Sequence, residues 1–83
     1  MQNIRQQIDD IDNKILNLFV KRFSLVKEIG EIKKQENMPI KNIKREEEKL
    51  NNLIKNGQGI SEKFIKDIWQ RIFSESYRLE NLV

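Results

Sequence analysis

Cysteine and histidine are both absent from this 83-residue chain. Their absence excludes disulfides, thiolate nucleophiles, the usual zinc sites and imidazole acid–base chemistry. There is one proline and there are three glycines, so little interrupts regular structure. No apolar run is long enough to span a bilayer, and no leader-like segment precedes the first periodic stretch. A core built from so few residues is marginal, and with disulfides and zinc removed the remaining remedy is self-association. Lack of cysteine fits a reducing compartment, and a cytoplasmic location is expected.

What the chain has is charge. Charged residues make up 35% of it, with a net charge of +3. Lys and Arg alternate with Asp and Glu, which reads as solvated helix surface and not as a nucleic-acid-binding tract. Residues 3–36 keep a helical apolar period through Ile4, Ile8, Ile11, Ile15, Leu18, Leu25, Ile29 and Ile32. A helix of that span is about 50 Å long, more than a compact domain of this size can cover, so it is expected to pack along a second copy of the chain. Gln35 to Ile40 break the helix, Pro39 biasing Met38 away from the helical region. Asn42 is an N-cap candidate for a helix over 43–56, which Asn56-Gly57-Gln58-Gly59 ends, glycine being the common C-cap. Ser61 caps a third helix whose apolar face is Phe64, Ile65, Ile68, Trp69, Ile72, Phe73 and Leu79. No strand signal and no repeat appears. The expected class is all-α: one long helix, one short, one medium, in one domain over residues 1–83.

Several polar residues break this apolar order. Arg22 interrupts the stripe of the long helix, and Lys33 follows eleven residues later on nearly the same face. Arg45 and Glu46 lie in the first turn of the second helix, beside Asn42. Buried charge is costly unless met by its opposite. With few inward acids to pair with, these cations point to a bound small anion. Each residue also has a plainer reading. Arg22 can snorkel or bridge two chains, Lys33 can cover the helix end, and Arg45 and Glu46 can be first-turn decoration. Ser76 and Glu80 share a face of the third helix at i,i+4 spacing. Ser76 can bond back to its own turn, and Glu80 can be fraying surface. Arg5 lies seventeen residues before Arg22, about 100° round the helix, so it is not expected to line the same pocket within one chain; it can be an exposed N-terminal arginine or reach a partner's pocket in a dimer.

In order along the chain, these pieces resemble the all-helical chorismate mutase family. Ile4-Arg5-Gln6-Gln7-Ile8-Asp9-Asp10-Ile11-Asp12 is similar to that family's opening segment. Arg22, Ile29-Gly30-Glu31-Ile32-Lys33, Pro39-Ile40 and Arg45-Glu46 follow at its spacing without a gap, and Ser76-Tyr77-Arg78-Leu79-Glu80 is similar to its third-helix motif. The resemblance covers residues 3 to 81. It implies an intertwined homodimer with two equivalent sites and the rearrangement of chorismate, a dianion, to prephenate. Carried over position by position, Arg22 and Arg45 would bind substrate carboxylates and Arg5 would come from the other chain. Lys33 and Glu80 would face the ether oxygen, Glu46 would hold the substrate hydroxyl, and Ser76 would support a carboxylate. Two positions depart from the family's pattern. Asn42 stands where Asp is frequent, and Glu80 where many members carry Gln. An amide donates at any pH, whereas a carboxyl group donates only when protonated.

The reaction is unimolecular and pericyclic, and it requires no nucleophile, metal, cofactor or proton transfer. It needs a clamp on the reactive conformer and donors for charge growing on the ether oxygen. An isochorismate pyruvate-lyase on the same scaffold would use the same cations. A non-catalytic dimerisation or regulatory module would explain the apolar stripe but not the recurrence of Arg22, Lys33, Arg45 and Glu46.

Overall fold

A computed structural model describes residues 1–83 as three helices and no strand: α1 (Gln2–Gln35), α2 (Ile43–Asn56) and α3 (Glu62–Asn81). The all-α expectation holds, with the long helix shifted by one residue. α1 sets the long dimension of the molecule, which measures 52 × 24 × 15 Å.

The helix ends follow from local chemistry. α1 stops before its proline. Asn37 takes the left-handed conformation at φ 54°, its N–H reaches the Lys34 carbonyl at 3.4 Å, and the Met38 N–H closes on the Lys33 carbonyl at 2.8 Å. These are the two crossed bonds of a Schellman cap, and Pro39 follows a chain already turned. Asn42 caps α2 by accepting the Arg45 N–H at 3.1 Å, and Ser61 caps α3 by accepting the Phe64 N–H at 3.1 Å. Gly57 follows the last residue of α2 as expected, but with φ −84° and so not in the left-handed region. Space there is tight, because a Cβ would lie 2.6 Å from Ile65 Cδ1 and 3.0 Å from the Leu53 carbonyl.

α3 is the hub. α1 and α2 each pack against it and make no comparable contact with one another. The buried side of α3 carries Ile65, Ile72, Phe73 and Leu79, but also Ser76 and Glu80. Ile68 and Trp69 are half-buried, and Phe64 is exposed. α1 meets α3 at Val26 and Gly30. Gly30 permits the close crossing, since a Cβ there would stand 2.8 Å from Glu80 Cα and 2.9 Å from the Glu80 carbonyl oxygen.

The predicted stripe of α1 faces outward. Ile4, Ile8, Ile11, Ile15, Leu18, Leu25, Ile29 and Ile32 remain between 46% and 63% exposed, and only 8 of 83 residues are buried. A single chain therefore leaves its most regular apolar surface in water. No helix is long and apolar enough to cross a membrane.

Candidate active site

A cleft of about 460 Å³ opens between the C-terminal half of α1, the start of α2 and the C-terminal half of α3. Arg22 and Lys33 line it from α1, Asn42, Arg45 and Glu46 from α2, and Ser76 and Glu80 from α3. Seven of the eight site residues expected from sequence thus meet in one place. Arg5 does not: it is exposed on α1 and lies outside the cleft.

Arg22 is half-buried, and Nη1 donates to Ser76 Oγ at 2.7 Å. Its guanidinium also sits 5.8 Å from the Phe23 ring centroid. Ser76 Oγ in turn donates to the Ile72 carbonyl one turn back, at 2.7 Å. A hydroxyl has one proton, so in this state Ser76 orients Arg22 and has no proton left for a carboxylate. The plainer reading of Ser76 holds, since it bonds to its own turn, and it also accepts from Arg22, a partner the sequence reading did not name. No acid pairs with Arg22 or with Arg45. Burial pushes the Arg22 guanidinium below its ordinary value, the like charge of Arg45 pushes it further, and Glu80 partly offsets both. The two arginines are thus close enough to repel, which is the electrostatic setting that an anion relieves.

Lys33 does have a counter-charge within the chain. Its Nζ lies 2.6 Å from Glu80 Oε1 and donates to the Ile40 carbonyl at 2.6 Å. The sequence reading expected few inward acids, and Glu80 is one that meets a cation here. Glu80 is 5% exposed, so it faces the cleft and is not fraying surface. Its Oε1 has the ammonium nearby but no donor aligned on it, which makes the contact an ion pair without a well-directed hydrogen bond. An ammonium has three protons. One is used on the Ile40 carbonyl, so donor capacity remains for a ligand.

On α2 the side chains of Asn42, Arg45, Glu46 and Lys49 follow i, i+3, i+4 and i+7 spacing and form a polar stripe facing the cleft. The sequence reading missed Lys49, although this spacing was a signal for it. It also gave no role to Tyr77, which lines the cleft from α3, donates to Glu46 Oε2 at 2.9 Å and accepts the Asn42 backbone N–H at 3.3 Å. Burial raises the Tyr77 hydroxyl above its ordinary value, the Asn42 N–H lowers it, and Glu46 raises it again. Leu25, Val26, Ile29, Met38 and Phe73 supply the apolar wall.

Comparison with known proteins agrees with this geometry. Residues 4–81 match the family described as chorismate mutase type II. The chain is 38% identical over 80 residues to the T-protein of Enterobacter agglomerans, covering 94% of this chain and 21% of that protein. It is 36% identical over 83 residues to the T-protein of Haemophilus influenzae, covering 98% and 22%. It is 50% identical over 46 residues to the chorismate mutase of Methanocaldococcus jannaschii, covering 55% and 46%. No solved structure matches. The chain spans about a fifth of the length of the two T-proteins. A family match over nearly the whole chain places this protein in the type II chorismate mutase family.

Proposed function

We propose that this domain rearranges chorismate to prephenate in the cytoplasm, as an intertwined homodimer with two equivalent sites. The observation that carries the reading is the cleft's charge layout. Arg22 and Arg45 present two cations without acids, and the Lys33–Glu80 pair stands beside them against an apolar wall. Two guanidinium groups suit a substrate with two carboxylates, because each can bind one bidentately. Holding both carboxylates folds a flexible molecule into its reactive conformer, which can contribute several kcal/mol to the barrier.

A proton of Lys33 and a protonated Glu80 would meet the ether oxygen as its bond to carbon lengthens. A donor that acts on charge present mainly in the transition state raises turnover more than affinity. Glu46 would receive the substrate hydroxyl, and Asn42 would keep the first turn of α2 in place. Arg5 would arrive from the second chain, since within its own chain it lies outside the cleft. The exposed stripe of α1 supports that partner, because it is the surface a second copy would cover.

The test is conversion of chorismate by the purified chain, with isochorismate in parallel. Prephenate formation is expected. Pyruvate release from isochorismate alone would move the assignment to the lyase, and turnover of neither by a folded dimer would favour a non-catalytic module.

A further inference from the structure

α2 is the least anchored part of the site. It has no buried residue and packs only on α3, yet its first turn carries Asn42, Arg45 and Glu46. Some contact must fix that turn if Glu46 is to meet a ligand in a defined orientation. Building on the function proposed above, we infer that Tyr77 is a positioning residue. Its hydroxyl pins the Glu46 carboxylate and the start of α2 to α3.

The direction of each hydrogen bond follows from the groups involved. A backbone N–H can only donate, so Tyr77 Oη accepts from Asn42 at 3.3 Å. The single hydroxyl proton is then free for Glu46 Oε2, 2.9 Å away. The Asn42 N–H precedes the helix and has no partner inside it, so the phenol also satisfies a donor that would otherwise need water. With Oε2 occupied, Oε1 is the oxygen left for a ligand hydroxyl.

Glu46 has a competing partner. Lys49 is three residues along the same helix, within the usual reach of a surface ion pair, and it lines the same cleft. No such pair forms, and Tyr77 holds the carboxylate instead. The tyrosine ring also lies 5.9 Å from Lys33 Nζ, at the edge of cation–π range. One side chain on α3 therefore bonds to Glu46 on α2 and lies near Lys33 on α1, and its oxygen makes the bond to Glu46.

Tyr77→Phe removes that oxygen and keeps the ring. The experiment is steady-state kinetics of the full chain on chorismate, wild type beside Tyr77→Phe, at concentrations that hold the assembly constant. Loss of the pin leaves Glu46 free to turn away from the substrate, so KM is expected to rise about tenfold, the scale of losing a hydrogen bond to a charged group. A contact made equally in ground and transition states changes KM and spares turnover, so kcat should stay within about threefold. A purely structural role would lower the fraction of competent sites and so reduce kcat at unchanged KM. That outcome overturns the inference, as does a variant indistinguishable from wild type. A wild type without turnover overturns the proposed function itself, which distinguishes the two failures.

Discussion

Replacing Gly30 with alanine puts a methyl carbon where the backbone of α3 already stands. The new atom would lie 2.8 Å from Glu80 Cα, 2.9 Å from the Glu80 carbonyl oxygen and 2.7 Å from Val83 Cγ2. The Val83 contact is to the end of a side chain, which can move; the Glu80 backbone is in a helix and cannot turn aside. Carbon contacts are comfortable from about 3.5 Å, so α3 must retreat by about 0.7 Å at this crossing. Overpacking of this kind costs about 1–3 kcal/mol, while alanine improves on glycine in a helix interior by about 1 kcal/mol. The net change in stability is therefore small, about 0–2 kcal/mol, or at most about 15 °C in melting temperature for a chain of this size. Activity should respond more. The residue displaced is Glu80 itself, whose carboxylate sits 2.6 Å from Lys33 Nζ. A 1 Å misplacement in a catalytic constellation can cost about a hundredfold, so a shift somewhat below that should lower kcat about tenfold or more. The assays are thermal unfolding at fixed protein concentration and steady-state turnover of chorismate. Turnover within twofold of wild type, with the melting temperature unchanged, would refute the argument that this close approach sets the position of Glu80.

Two other predictions concern the charge and the assembly of the site. If Glu80 meets the ether oxygen as a donor, Glu80→Gln should retain turnover, since an amide also donates, while Glu80→Ala should lower kcat about a hundredfold; an alanine variant as active as wild type would sink the role assigned to it. Leu18 is 63% exposed on the stripe and lies outside the cleft, so Leu18→Glu should weaken association in sedimentation and reduce activity per chain, and an active variant that sediments as a monomer would remove the dimer from the proposal.

Features set by neighbours in the chain were legible from sequence. The caps at Asn42 and Ser61 form through bonds only three residues long, and the apolar period of α1 is a property of the helix alone. The candidate site was legible in part for a related reason: Arg22 is conspicuous as a charge in the apolar stripe, while Lys33 and Glu80 were joined to it by the resemblance to a known family. What could not be read was what each one touches. Lys33 finds Glu80 on another helix, so a cation expected to wait for an anion already has one at 2.6 Å. Tyr77 reads as one more aromatic of α3, because its hydroxyl partners lie 31 and 35 residues away on α2. Gly57 was read as a common C-cap, but a Cβ there would also crowd the Ile65 side chain, which only the packed structure brings there. The break after α1 was placed at Gln35 to Ile40, with an effect named only for Pro39, and Asn37 turns the chain two residues before that proline.

Association and catalysis meet at Leu25 and Ile29. Both belong to the outward stripe, at 60% and 46% exposure, and both line the cleft. The open side of the cleft is therefore continuous with the surface that needs covering. A second copy lying along α1 would bury apolar area, which stabilises the assembly at about 25 cal/mol per Å², and in the same step would roof the site and shield its cations from water. Shielding strengthens every charge interaction with a bound dianion. It would also bring a residue such as Arg5 to a cleft that its own chain cannot place it in, because a helix holds its residues at fixed intervals and Arg5 is about 25 Å along the axis from Arg22. On this reasoning a rigid 34-residue helix explains both the excess of exposed isoleucine and the absence of Arg5 from its own cleft. Activity should then depend on protein concentration wherever dissociation begins.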